Sequence, residues 1–192
     1  MRMWALTLAL VASMAAPFPW ELQALAVAPA DMARAKAGET IVSDVPVSEG
    51  GSLRAVFFVA GPLAVAREVL WDQERFVEFV PDVKAVKVLE RHPNRQIVEI
   101  TGGRGPVSVS YVADRTLEAR RIAWKSVRGD VKRNDGSWTL EPAPGGTLVT
   151  YQVHVVPKGP VPGYVVGYLQ KQALTGLIKA IRTRIEAKSA GR

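Results

Sequence analysis

Hydrophobic and polar residues alternate most regularly between Thr147 and Val156. Val149, Tyr151, Val153 and Val155 fall on one face, and Thr150, Gln152 and His154 on the other. A strand repeats its side chains every second residue, so this pattern predicts a half-buried strand. Similar runs occupy Val83 to Glu90, Gln96 to Thr101, Val107 to Leu117, Arg121 to Arg128 and Val131 to Leu140. They are separated by His92-Pro93-Asn94, Gly102-Gly103-Arg104-Gly105-Pro106, Glu118-Ala119, Gly129-Asp130 and Pro142-Ala143-Pro144-Gly145-Gly146. Such short, turn-rich joints make antiparallel hairpins and leave no room for crossover helices. Upstream, Leu53 to Ala60 reads as a strand closed by Gly61-Pro62. Pro62 suits a helix start, where its missing N–H costs nothing, so Leu63 to Leu70 reads as helix. Asp72 is placed to cap a second short helix, Gln73 to Phe79, which ends before Pro81. Glu39 to Val47 alternates loosely and predicts a short edge strand ending at Gly50-Gly51, preceded by an Ala-rich helix over Ala30 to Lys36.

The period changes after the last strand. Pro157-Lys158-Gly159-Pro160-Val161-Pro162-Gly163 is a stiff linker, and Tyr164 to Ala187 reads as one long helix. On a helical projection Val166, Ala173, Leu174, Leu177, Ala180 and Ile181 share one side, with Lys171, Thr175, Lys179, Arg182 and Glu186 opposite. The element order predicts an α+β fold: a curved antiparallel sheet whose open side is covered by an amphipathic helix. Ala173, Ala180 and Gly176 put small side chains on or near the covered side, which leaves room between helix and sheet.

The start of the chain has a different character. Arg2 precedes an uncharged apolar run from Trp4 to Ala16, broken by Pro17, Pro19 and Glu21; Ala24-Leu25-Ala26 then offers small residues for cleavage. This is the layout of a secretory signal peptide, with a cut expected after Ala26 and a periplasmic or secreted mature protein. Ala26-Val27-Ala28 is an alternative site, though Pro29 would follow the cut. The apolar run has 13 residues, short of the ~20 that span a membrane. The expected organisation is a signal peptide over 1–26, an N-terminal extension over 27–52, a single ligand-binding domain over 53–188 and a tail over 189–192.

Composition narrows the chemistry. Cysteine is absent, which excludes disulfides, thiolate metal sites and a cysteine nucleophile. Two histidines, His92 and His154, are too few for a histidine-rich metal site, and no metal or cofactor is expected. The net charge of +7 permits an anionic partner. Lys171, Lys179, Arg182, Arg184, Lys188 and Arg192 cluster late, where an anionic membrane surface would gain about 1 kcal/mol from each near residue. Nucleic acid is not expected, because no aromatic residues interleave with that cluster and the chain reads as exported.

Several phrases carry a family resemblance. Leu53-Arg-Ala-Val-Phe-Phe-Val-Ala-Gly-Pro62 looks like a first strand running into a helix. Val69-Leu-Trp-Asp-Gln-Glu-Arg-Phe-Val-Glu-Phe-Val-Pro-Asp-Val83 combines an aromatic pair with a following proline. Val86-Lys-Val-Leu-Glu90, Gly136-Ser-Trp-Thr-Leu-Glu-Pro142 and Gly146-Thr-Leu-Val-Thr-Tyr151 complete the set. In this order they resemble the START-like, helix-grip superfamily, which includes polyketide cyclases, birch-allergen-type proteins and a coenzyme Q-binding group. The likeness runs from Leu53 to Ala187; Val27 to Gly51 has no counterpart in the minimal fold. The resemblance implies a cavity under the long helix that holds a hydrophobic molecule, lipid, sterol-like or quinone-like. On that expectation Phe76, Phe79, Val80, Trp124, Trp138, Tyr151, Val166, Gln170, Ala173 and Leu177 are the candidate lining residues.

The polar candidates have structural readings beside the functional ones. Gln170 lies on the apolar side of the helix and needs a partner there, a ligand oxygen or a backbone group. His154 lies on the face opposite Tyr151 and Val153, so it is expected on the outer surface. Arg184 is expected to reach water from the helix side. Asp114-Arg115 reads as an exposed ion pair, and Gly102 to Pro106 as a hairpin turn, lacking the Lys-Ser/Thr ending of a phosphate loop. A non-catalytic binding or transport protein is therefore expected. The alternative is a cyclase or aromatase working in the same cavity, for which Gln170, His154, Tyr151 and Arg184 are the visible titratable or polar groups.

Overall fold

The computed structural model describes residues 27–103, 108–161 and 163–191. The expected signal peptide and the tip of the Gly102 to Pro106 turn lie outside the described residues. Eight strands form one sheet: β1 (Thr40–Asp44), β2 (Gly51–Val59), β3 (Val83–His92), β4 (Arg95–Gly102), β5 (Val109–Leu117), β6 (Arg121–Gly129), β7 (Val131–Ala143) and β8 (Gly146–Pro157). Their order is β1-β2-β8-β7-β6-β5-β4-β3, and every neighbouring pair is antiparallel. From β3 to β8 each strand pairs with its successor, as the short joints require. Only β2 reaches across the sequence, with Tyr151 opposite Ala55 and Val149 opposite Phe57 on β8.

The connection from β2 to β3 carries the short helices. α2 (Leu63–Trp71) starts behind Pro62 as expected. The second helix is shorter than its pattern suggests: a single 3-10 turn, Gln73–Arg75, leads into one α-turn, α3 (Phe76–Phe79). Asp72 does not cap it. Its backbone closes α2 by donating its N–H to Glu68 O at 3.0 Å, and its carboxylate turns outward to Arg75 at 3.2 Å. With its carboxylate on Arg75, Asp72 makes no side-chain bond to the turn that follows.

The long helix α4 (Gly163–Ser189) lies against β2 and α2. Its buried positions are Val166, Leu174, Ile178, Ile181 and Ile185. The covered side is thus turned toward Ile178 and Ile185 from the phase expected: Ala180 is half-buried and Ala173 is exposed. Arg182, expected on the open side, is half-buried and donates to Phe58 O at 3.1 Å and Gly38 O at 3.3 Å. The N-terminal extension supplies the Gly38 carbonyl. α1 (Pro29–Lys36) and β1 place Val27 and Ala35 against Val56 and Leu148 on the outer face of the sheet, with Met32, Ile41 and Phe58 around them. The main core lies inside the sheet and joins Leu53, Phe57, Leu70, Ile122, Leu140, Val149 and Ile181.

Candidate functional site

Between α4 and the concave face of the sheet lies a cavity of about 240 Å³. The strand period explains which residues reach it. On β5 the inward set is Tyr111, Ala113 and Arg115; on β8 it is Tyr151, Val153 and Val155. Trp124 enters from β6, and Asn134 and Trp138 from β7. Phe76, Val80 and Pro81 close the side under α3, while Gln170, Ala173, Leu174 and Leu177 form the helical wall.

Of the residues expected to line a cavity, Phe76, Val80, Trp124, Trp138, Tyr151, Gln170, Ala173 and Leu177 do so. Phe79 and Val166 do not. Phe79 turns to the outer edge of α3, its ring 5.3 Å from that of Phe76 and covered by the Arg184 guanidinium at 5.4 Å. Val166 is buried where α4 crosses Gly51, beyond the end of the cavity. Ala173 sits at the rim, touching the cavity while remaining exposed.

One wall is aromatic. The rings of Trp138 and Tyr151 lie 4.3 Å apart between centroids, and Trp124 stacks near Tyr151 at 5.9 Å with an interplanar angle of 23°. Gly136 makes the arrangement possible. A Cβ there would lie 2.3 Å from Gln152 O and 2.4 Å from the Trp124 ring. Glycine is required by close approach, since no side chain fits between β8 and the indole.

The polar groups differ in how fully they are engaged. Arg115 is 2 % exposed. It does not pair with Asp114, whose carboxylate takes both ends of Arg95 at 2.9 Å. Instead Arg115 donates to Leu70 O at 2.7 Å, Trp71 O at 3.0 Å and Gln96 Oε1 at 3.1 Å, with its guanidinium 5.0 Å from the Trp71 ring centroid. It thereby satisfies carbonyls left open at the C-terminus of α2, where a cation also suits the helix dipole. Burial weakens its hold on the proton, bringing its pKa down to about 9, and it remains a cation at neutral pH. The sequence signal was present: Arg115 falls in step with Tyr111 and Ala113, so the alternation of β5 points it inward.

Tyr111 and Tyr151 are half-buried, and both line the cavity. Burial pushes the Tyr111 phenol up to about 12, against smaller lowering effects of Arg115 and Asn134. Burial also raises Tyr151, with Tyr111 adding to the rise. Both are neutral phenols at any physiological pH. Gln170 donates Nε2–H to Gly51 O at 3.3 Å, the backbone partner expected of a polar residue in an apolar stripe, while its Oε1 is buried without a partner.

His154 lies on the outer face. Nε2 bonds the carbonyl of Glu49 at 2.8 Å, which can only accept, so Nε2 carries the proton. Nδ1 then accepts from Arg133 at 3.3 Å. Both nitrogens are committed to structure. Arg184 reaches the surface and pairs with Glu78 at 3.0 Å. Among the described residues no group of acidic or histidine side chains could hold a metal ion, and no helix is long and apolar enough to cross a membrane.

Comparison with known proteins agrees with this architecture. Residues 59–182 match the family model described as polyketide cyclase / dehydrase and lipid transport. No curated protein matches the chain. Among solved structures, a STAR-related lipid transfer protein from Xanthomonas axonopodis is 24% identical, with a TM-score of 0.66 over 76% of this chain and 93% of that one. A START superfamily protein from Mycobacterium smegmatis is 22% identical, with a TM-score of 0.64 over 70% and 97%. A Streptomyces aromatase/cyclase is 15% identical, with a TM-score of 0.64 over 78% and 96%. These likenesses establish a START-like helix-grip fold.

Proposed function

The chain belongs to the polyketide cyclase / dehydrase and lipid transport family, and from that premise we propose that it is an exported binding or transport protein for a hydrophobic small molecule. The observation that carries this reading is the enclosed wall of Trp124, Trp138, Tyr151, Val153, Leu174 and Leu177 around an open volume. A cavity of about 240 Å³ falls near the lower end of the ~300–1,000 Å³ common for small-molecule sites. It suits a lipid-like, sterol-like or quinone-like body, or one end of a longer one. Binding rather than conversion is favoured by the state of the polar groups: Arg115 is spent on backbone carbonyls and Gln96, the tyrosines are held neutral, and His154 faces away. Export rests on the charged start, apolar run and small residues at Ala24 to Ala26. Lys179 and Lys188 on α4 would favour a transient contact with an anionic membrane.

A ligand that binds only the folded state raises its melting temperature by mass action. Mature protein from the periplasm is expected to carry a co-purifying lipid in native mass spectrometry. Delipidated protein should melt higher with at least one phospholipid, sterol or quinone. No cargo and no shift across that panel would remove the reading. Turnover of a poly-β-ketone probe in the same cavity would move the chain to the cyclases.

A further inference from the structure

Three side chains from three strands meet on one side of the cavity: Trp124 of β6, Asn134 of β7 and Tyr111 of β5. The indole N–H of Trp124 reaches Asn134 Oδ1 at 3.3 Å. An indole N–H can only donate, so this bond decides which end of the Asn134 amide is the oxygen. Asn134 and Tyr111 line the same cavity, and Asn134 acts on the phenol in the sense that favours its oxygen as acceptor. Asn134 is itself fixed from behind, since its backbone N–H donates to Ser126 Oγ at 2.8 Å, and Ser126 N–H donates to Asp135 Oδ1 at 3.0 Å. These side-chain bonds lie just beyond the last paired positions of β6 and β7, Trp124 and Gly136.

The result is a directed chain of donors. Trp124 donates to Asn134, Asn134 favours the Tyr111 oxygen as acceptor, and the Tyr111 O–H is left to donate onward. Among the described residues no protein acceptor receives it. A hydroxyl in so enclosed a place ordinarily has a partner, from the protein or from what it binds. Each donor in such a chain strengthens the next. The flanking wall, with Tyr151 and Trp124 stacked, offers a flat apolar surface beside that hydroxyl.

We propose that Tyr111 is a specificity-determining donor for a carbonyl oxygen on an uncharged apolar ligand, with Asn134 and Trp124 as its positioning residues. The inference rests on the container reading above and names the chemistry the container selects. An anionic head is disfavoured, because an ion in an apolar cavity is costly to desolvate and three of the five N–H donors of Arg115 are already engaged by protein acceptors.

The test uses two probes of similar shape on the full chain, 2-acetonaphthone, which has a carbonyl, and 2-isopropylnaphthalene, which has no acceptor. Wild-type protein should bind the ketone about 5- to 10-fold more tightly than the hydrocarbon, the difference a neutral hydrogen bond commonly makes. Tyr111→Phe should abolish that preference while leaving the hydrocarbon's affinity and the melting temperature nearly unchanged. Asn134→Leu should reduce the preference with Tyr111 still present. The infrared carbonyl band of bound 2-acetonaphthone should shift to lower wavenumber in wild type and return in Tyr111→Phe, which a merely structural tyrosine would not produce. Equal binding of the two probes, or a preference that survives Tyr111→Phe, would overturn the proposal and leave the container standing. Binding of neither probe would overturn both.

Discussion

The two halves of α4 are held in different ways. From Ile178 onward the helix is sealed. Ile178, Ile181 and Ile185 are buried, and Arg182, Arg184, Glu186 and Lys188 each reach a partner on β2, the turn after it, α2, α3 or the N-terminal extension. Before Ile178 the helix spans the cavity. It is held by Val166, by Gln170 on Gly51 O and by an exposed Lys171–Asp44 pair at 2.7 Å, while Tyr168 and Leu169 stand 63% and 58% exposed. Burial of apolar side chains scales with the stabilisation they provide, so one half anchors the fold and the other trades anchorage for volume. The difference explains why the most regular helix in the sequence is not uniformly packed.

The largest expected effect separates the halves directly. Ile181→Ala in the sealed half should lower stability by about 2–5 kcal/mol, because it opens a hole in close-packed core. Leu177→Ala, whose side chain already borders open space, should cost clearly less. Denaturant midpoints of the two variants measure this, and equal losses would erase the distinction. Arg182→Gln should cost about 1.5–3 kcal/mol through its bonds to Phe58 O and Gly38 O, the range for hydrogen bonds to a charged group. It should also raise hydrogen exchange in α1 and β1.

Alkaline pH tests the cavity side. The neutral phenol of Tyr111 is favoured in the fold, its pKa raised to about 12 from 10.0. That contribution is therefore complete below pH 10 and is lost as pH rises through about 12. Wild type should lose more stability than Tyr111→Phe over that window, and phenolate absorbance should show Tyr111 ionising well above an exposed tyrosine. Ala173→Trp at the rim should change stability within about 0.5 kcal/mol, as exposed substitutions do, yet weaken binding of any bulky ligand by obstructing the entrance. Smallest of all, Lys171→Ala should cost about 0.2–0.4 kcal/mol, the low end for an exposed ion pair. Its expected signature is faster exchange confined to the first turns of α4.

Local periodicity made most of the fold readable. Six hairpin-linked strands, the strand before them and the long helix follow from alternation, turn residues and the Pro-Gly linker, all features of neighbouring residues. The cavity wall was readable to the same extent, because Trp124, Trp138 and Tyr151 lie in step with apolar neighbours. What escaped depends on distant partners. Arg115 beside Asp114 reads as a surface pair until β4 supplies Arg95 for the aspartate and α2 supplies carbonyls for the arginine. The phase of α4 escapes because its alanines look covered, whereas Ile178 and Ile185 are the residues that join Leu174 and Ile181 in the main core. Phe79 is aromatic in an aromatic phrase, yet it packs at the edge of the main core beneath Arg184 and does not line the cavity.

Gly136 has a consequence for anyone reshaping this protein. It is an achiral spot beneath the stacked indole, and every mutation away from glycine arrives there as a collision with both Trp124 and a strand carbonyl. A random library at this codon should yield damaged wall geometry rather than graded changes in cargo preference. The rim at Ala173 has no such restriction. Engineered selectivity is therefore more accessible from the entrance than from the floor, and the floor works as a fixed mould against which variation at the entrance can be screened.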